Sequence, residues 1–187
     1  IFAEMTPQWI DAYEAGIFTE FMEQRAPGHT VMDDKIYKMG LLDFIARIDY
    51  QLQNLNCEID PAAWEKQEEL KAMRIAAEAV MGYANRYARL AAAMAAETTN
   101  PERKAELVAI SEVCSHVPAN APRTFWEALQ TYWFIHLGVI TELNTWDAFS
   151  PGRLDQHLFP FYESEIQSGQ LTRTSAEELL QCFWIKF

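Results

Sequence analysis

The sequence is short of most of the features that mark specialised protein classes. Its three cysteines, Cys57, Cys114 and Cys182, are scattered and odd in number. That speaks against a disulfide framework and for a reducing, cytoplasmic setting. Basic residues are scarce: 15 Lys and Arg stand against 27 Asp and Glu, a formal net charge of -12. With no basic cluster, neither a nucleic-acid partner nor an anionic membrane surface is expected, because phosphate binding needs concentrated Lys and Arg. No uncharged apolar run approaches the ~20 residues of a membrane span, and no signal-peptide pattern is visible. The seven glycines are isolated, which excludes a phosphate-cradling loop. His29, His116, His136 and His157 lie far apart, without a His-x-x-x-His or Cys-x-x-Cys pair, so no metal set is expected.

What remains is apolar and helix-forming. Half of the 187 residues are hydrophobic, enough for a sizeable core in one domain or part of one. Helix starts recur as a capping residue followed by proline: Thr6-Pro7, Asp60-Pro61 and Asn100-Pro101. The first predicts a helix to Ala15, ended by Gly16. Ile17 to Arg25 reads as a second helical piece, and 29–31 as a loop. Asp33-Asp34 reads as an acidic helix start, and Gly40 as the punctuation before an apolar stretch of helical spacing. From Pro61 to about Ala96 strong helix formers dominate, interrupted only by Gly82. A helix of that length would run ~54 Å at 1.5 Å per residue. Its apolar stripe (Leu70, Met73, Ala77, Val80, Met81, Ala84, Tyr87 and Leu90/Ala91) is not a sustained heptad, which disfavours a coiled coil. Val117-Pro118 and Ala121-Pro122 predict a rigid extended link. Thr124-Phe-Trp-Glu127 and Thr174-Ser-Ala-Glu177 read as capping boxes. The helix opened by the first, to about Ile140, is apolar on nearly every side, as befits a helix inside a large protein. The fold class expected for these residues is mainly α.

The densest chemistry lies in residues 144–161, NTWDAFSPGRLDQHLFPF. Two Asp, one Arg, one His, one Asn and one Gln alternate with Trp146, Phe149, Phe159 and Phe161. Buried polar groups are costly unless paired, so such a stretch either satisfies itself or meets a ligand. Ser150 and Pro151 also read as a helix N-cap and first helical position. Arg153 and Asp155 are expected to be chiefly structural, Arg153 in a buried bidentate pair whose loss would cost roughly 3–5 kcal/mol. His29 sits in a Pro-Gly-His-Thr loop between Glu23-Gln24-Arg25 and Asp33-Asp34, where neighbouring carboxylates can tune an imidazole toward proton transfer. The sequence begins at Ile1 and ends at Phe187 within an apolar run, and reads as a piece of a larger protein.

Residues 20–31, EFMEQRAPGHTV, with Asp34-Lys-Ile-Tyr37, Thr124-Phe-Trp-Glu-Ala128, Ser150-Pro-Gly-Arg-Leu-Asp-Gln156 and Pro160-Phe-Tyr162, resemble the glycyl radical enzyme family, the pyruvate formate-lyase-like lyases. The resemblance runs through the whole chain in order and spacing. It implies a single pyruvate formate-lyase-like domain over residues 1–187, truncated at both ends, and a ten-stranded α/β barrel in the full-length protein. It implies a lyase of anaerobic metabolism that cleaves C–O, C–C or C–S bonds of a small molecule. It further implies a glycyl radical in a C-terminal part, installed by a radical SAM activating enzyme, and a full-length homodimer.

In the dehydratase members the histidine of Pro-Gly-His-Thr lines the substrate pocket and serves in proton transfer to a leaving hydroxyl; that position is His29. Polar residues a few positions before Ser-Pro-Gly-Arg bind substrate, and here these are Trp146 and Asp147, where the glycerol-dehydratase-like pattern has His-Ser. This departure argues against a small diol: a Trp narrows a pocket, and an Asp disfavours an anionic substrate unless a cation intervenes. None of the three cysteines stands in the family's Cys-x-Glu motif. Gly82-Tyr83 falls inside a predicted helix and is not a glycyl loop. The fragment alone is therefore expected to be inactive. Substrate choice among polyol, hydroxyproline, choline, isethionate and arylacetate stays open. A second class, a non-catalytic helical scaffold or interaction domain of the same ancestry, is separated from the first by whether the parent carries both radical motifs.

Overall fold

In the computed structural model, residues 6–16, 32–56, 58–142 and 151–186 are described. They form seven α-helices and one 3₁₀ turn, with no strand among them: α1 (Pro7–Glu14), the 3₁₀ turn (Asp33–Tyr37), α2 (Leu41–Asn54), α3 (Ala63–Glu97), α4 (Pro101–His116), α5 (Phe125–Glu142), α6 (Leu154–Ser168) and α7 (Arg173–Trp184). The expected second helical piece, Ile17 to Arg25, and the loop at 29–31 lie outside the described residues.

The cap-then-proline signals mark real helix starts. Thr6 Oγ1 accepts from the Trp9 N–H, and Gly16, at φ 71°, follows the end of α1. Asn100 Oδ1 accepts from the N–H groups of Glu102 and Arg103 at 2.9 and 3.1 Å. Asp60 works one step removed: its Oδ1 accepts from the Ala62 N–H at 3.0 Å, and α3 begins at Ala63. The helix then continues unbroken through Gly82 to Glu97.

The buried seam of α3 differs from the expected stripe. Its least exposed positions run Ala63, Gln67, Leu70, Arg74, Ala77, Met81, Ala84, Ala88, Ala91 and Ala95, with Val80 and Tyr83 beside them. Steps of four and three alternate along that seam, the spacing of helices packed nearly antiparallel. Met73, Tyr87 and Leu90, by contrast, are exposed. The pattern is masked in the sequence because the seam holds Gln67, Arg74 and small alanines. Arg74 pairs across to Asp49 of α2 at 2.5 Å. The alanines let α4 approach so closely that Ser111 Oγ donates to the Ala88 carbonyl of α3 at 2.9 Å.

Helix α5 occupies the centre, as its all-round apolarity predicts. Phe125, Ala128, Leu129, Tyr132 and Ile135 pack with Ile36, Tyr37, Leu41, Leu158, Leu171, Ala176 and Phe183. Phe134, on its other side, packs with Ala84, Ala88 and Cys114. Two starts move relative to expectation. Helix α6 begins at Leu154, not at Ser150-Pro151, so that Leu154, His157 and Leu158 face inward at helical spacing. Helix α7 is capped by Thr172, whose Oγ1 accepts from the Ser175 N–H at 3.1 Å, rather than by Thr174. Leu171 is buried, which brings the chain into the helix two residues early. Pro160 stands inside α6 on an exposed face.

The link at 117–120 is a turn rather than an extended strut. It contains a cis Val117–Pro118 peptide, and both residues are fully buried. Its carbonyls do a helix cap's work. Pro118 O accepts from the Leu41 N–H at 2.8 Å and Ala119 O from the Leu42 N–H at 3.0 Å, satisfying two free donors at the start of α2. Gly40 permits that approach: a Cβ there would lie 2.2 Å from Ala119 O and 2.3 Å from Asn120 Cα. Gly40→Ala is therefore expected to destabilise the protein by about 3 kcal/mol, as overpacking against backbone does. Gly82→Ala, whose Cβ would meet nothing within 4 Å, should stabilise α3 by about 0.5–1 kcal/mol. Urea denaturation of the two variants checks the contrast.

Candidate active site

Three of the four histidines lie among the described residues. His116 ends α4 and places Nε2 3.0 Å from the Ala121 carbonyl and 3.9 Å from Glu127 Oε2. His136 lies on α5, stacked on Tyr132 with ring centroids 5.7 Å apart, and burial lowers its pKa. His29, the expected proton donor, and Trp146 and Asp147, the expected substrate wall, lie outside the described residues.

What is described is the chain that follows each segment. The chain leaves residues 17–31 through Met32 and Asp33, which occupy the left-handed region at φ 62° and 49°. It then enters the 3₁₀ turn ending at Tyr37. It leaves residues 143–150 through Pro151 and enters α6, where His157 lies on the first turn. These exits meet. His157 Nε2 is 3.5 Å from Asp33 Oδ1, and the imidazole stacks on the Tyr37 ring at a centroid distance of 5.1 Å and an interplanar angle of 21°. Tyr37 is 7% exposed, and burial, with Tyr132 nearby, pushes its phenol well above its ordinary pKa. Tyr37 Oη and His157 Nε2 are buried without a hydrogen-bond partner. The sequence reading missed this trio. Its only signals were a histidine one turn into the polar stretch and a tyrosine four residues after Asp33.

Arg153 and Asp155 are not in a buried pair. Both are exposed, and the Arg153 Nη1 donates to Gln156 Oε1 at 3.5 Å. The start of α6 at Leu154 turns them outward.

Among the described residues the buried carboxylate is instead Glu127, 3% exposed on the first turn of α5. It accepts from the Arg123 backbone N–H at 2.7 Å and from Arg123 Nη2 at 2.5 Å. Thr124 Oγ1 accepts from the Glu127 N–H at 3.1 Å, so half of the expected capping box forms, while the carboxylate turns to Arg123. Burial alone raises the Glu127 pKa. The hydrogen bonds from the Arg123 side chain and backbone, with the charges of His116 and Arg123, outweigh it and hold the carboxyl below its ordinary value.

Cys114 is buried between α3, α4 and α5, and burial pushes its thiol up to about 11. Cys182 is exposed on α7, and Gly82 is helical. These described residues do not fit the thiyl and glycyl positions. They hold no group of three or more His, Cys, Asp and Glu suited to a metal, and no helix long and apolar enough to cross a membrane.

The all-helical architecture and the Pro-Gly-Arg stretch leading into α6 agree with the chain's match to known proteins. Residues 1–187 match the family described as pyruvate formate lyase-like, and the chain belongs to that family. It is 54% identical over 183 residues to the trans-4-hydroxy-L-proline dehydratase of Clostridioides difficile, an alignment covering 98% of this chain and 23% of the relative. It is 46% identical over 121 residues to the isethionate sulfite-lyase of Oleidesulfovibrio alaskensis, covering 65% of this chain and 15% of the relative. The crystal structure of the Clostridioides difficile hydroxyproline dehydratase, with substrate trans-4-hydroxy-L-proline bound, superposes with a TM-score of 0.85 at 53% identity, covering 100% of this chain and 24% of that one. The chain thus spans about a quarter of the length of these dehydratases.

Glu127 gives a pH-dependent prediction. Because its folded pKa is depressed, its stabilisation is present above the unfolded carboxyl value of about 4.3 and is lost as pH falls through the folded value. Glu127→Gln should cost about 1–3 kcal/mol at pH 7, the usual range for a damaged buried hydrogen-bond set. The gap to the native protein should close below about pH 4. Urea midpoints measured across pH check both.

Proposed function

We propose that these residues form part of a glycyl radical dehydratase acting on a hydroxylated cyclic amino acid of the trans-4-hydroxy-L-proline type. The observation that carries the reading is the 54% identity to trans-4-hydroxy-L-proline dehydratase over 98% of the chain, which spans both segments bearing the candidate residues. The chemistry of those residues supports it. Asp147 suits a substrate bearing a cation, and the secondary ammonium of hydroxyproline is one. An isethionate-type sulfonate has no such group to offset the carboxylate's repulsion. Trp146 supplies an apolar wall for a ring.

His29 is assigned the proton that leaves with the hydroxyl. A histidine near a carboxylate has its cationic form favoured, which equips it as a general acid. The contact of Asp33 and Tyr37 with His157 supports a shared cavity for His29 and Asp147, because it joins the chain just after the first to the chain just after the second. The radical is assigned to residues beyond these 187, together with its installation by a radical SAM activating enzyme, the homodimeric state and a cytoplasmic setting. The isolated fragment is expected to be inactive.

The test uses the full-length protein, activated anaerobically and supplied with trans-4-hydroxy-L-proline. The native protein should release the dehydrated product. His29→Ala and Asp147→Asn should lower turnover by about 10²–10⁴, the usual contribution of a positioned acid, while radical yield by EPR stays at the native level. Native turnover in both variants, or no dehydration of trans-4-hydroxy-L-proline by the native protein, overturns the reading.

A further inference from the structure

The trio of Asp33, Tyr37 and His157 costs the fold stability. Two adjacent residues with side chains, Met32 and Asp33, hold left-handed backbone at φ 62° and 49°. Such conformations persist only where the surroundings over-determine them, and they gather at functional sites. Four residues on, Tyr37 buries a phenol whose Oη meets no partner, and His157 buries an Nε2 that faces Asp33 Oδ1 at 3.5 Å without forming a hydrogen bond. A buried polar atom without a partner is destabilising and asks for an explanation. Nothing in local helix formation requires any of these. The 3₁₀ turn has no side-chain cap, and α6 begins without one.

What the three features share is position. The strained pair is the exit from the segment carrying His29. His157 lies one turn past the exit from the segment carrying Trp146 and Asp147. The imidazole touches the first exit twice, by its ring against Tyr37 at 5.1 Å and by Nε2 towards Asp33 Oδ1 at 3.5 Å. Tyr37, in turn, belongs to the central core through Leu41, Tyr132 and Leu158, and Met32 packs on the same core. The imidazole therefore ties the strained exit to α6 over a rigid base.

We propose that His157, braced by Tyr37 and directed by Asp33, is a positioning residue that fixes the two substrate-facing segments relative to one another. This rests on the assignment of His29 and Asp147 to one cavity. The ring stack sets the distance between the exits. The nitrogen facing the Asp33 carboxylate sets the rotation of the turn at Met32 and Asp33. Misplacement of a reacting group by about 1 Å can cost on the order of 10²-fold in rate, so a clamp away from the chemistry has leverage over it.

The test is made on the full-length protein with His157→Phe, which keeps a ring on Tyr37 and removes the nitrogen, and His157→Gln, which restores a donor. Asp33→Asn, at a side chain 71% exposed, serves if the histidine variants fold poorly. Three readouts are taken: melting temperature, affinity of the unactivated protein for trans-4-hydroxy-L-proline by calorimetry, and kcat/KM after activation with radical yield by EPR. Amide hydrogen exchange is followed in the segments preceding Met32 and preceding Pro151.

His157→Phe should lower kcat/KM by about 10- to 100-fold and weaken binding, with melting temperature and radical yield close to native. His157→Gln should recover most of the loss. Adding Asp33→Asn to His157→Phe should cost little more, since the two act as one unit. Exchange should quicken in both segments together. Native kcat/KM in His157→Phe beside a crippled His29→Ala overturns the clamp and leaves the dehydratase reading standing. If His29→Ala is silent, the dehydratase reading fails, and the exchange measurement alone decides the clamp: quickening in one segment only, or in neither, overturns it. A fall in melting temperature with native kcat/KM and native exchange also overturns it, because the trio is then merely structural.

Discussion

The burial of α5 from Phe125 to Ile135 is the constraint from which the rest of the arrangement follows. A helix apolar on nearly every side has to be covered on nearly every side, and each neighbour covers one sector. The 3₁₀ turn, α6 and α7 enclose one side of it, while α3 and α4 close the other. Burial also removes water from the start of α5, so its first donors need protein acceptors. Glu165 of α6 takes the Phe125 N–H at 2.6 Å, and Thr124 takes that of Glu127. The Glu165 contact fixes α6 against α5 by a charge-assisted bond, which is among the stronger kinds of hydrogen bond. The angle of α6 then determines where His157 meets Tyr37. A packing requirement in the core is thus transmitted to the two exits that frame the candidate site.

Helix α3 shows the same economy with smaller side chains. Alanine contributes little apolar area, so the seam at Ala84, Ala88, Ala91 and Ala95 gains chiefly from close contact rather than from bulk burial. Close contact brings the backbone of α3 within reach of the Ser111 hydroxyl. Where the seam passes α2, Arg74 replaces alanine and lies half-exposed beside Asp49. An exposed pair of that kind contributes little energy, but it gives the α2–α3 contact a polar register.

Legibility followed the range of the interaction. Caps are local, and Thr6-Pro7, Asn100-Pro101 and the all-round apolarity of α5 were readable because each depends on residues within a turn. Where a local signal competed with a buried neighbour, the neighbour won. Leu171 moved the start of α7 back to Thr172, and the inward set of Leu154, His157 and Leu158 moved α6 past its proline. The turn at 117–120 was unreadable because its purpose is to cap α2, far back in the sequence. Trp146 and Asp147 are candidates only through resemblance, since a Trp-Asp pair has no physical signature of its own, while His29 is a candidate through resemblance and through its place in a loop among carboxylates. Asp33, Tyr37 and His157 carry no motif at all. Their meaning arises when two distant segments come together.

That distinction bears on how the site can diverge within one fold. Residues that touch a substrate answer to its charge and shape, the role proposed for Trp146 and Asp147. Residues that set the spacing between substrate-facing segments answer to the core behind them. Tyr37 and Leu158, the residue after His157, belong to the same core cluster as Tyr132 of α5. The spacing of the two exits is thus set by the core behind them, through the contacts that tie the 3₁₀ turn and α6 to α5.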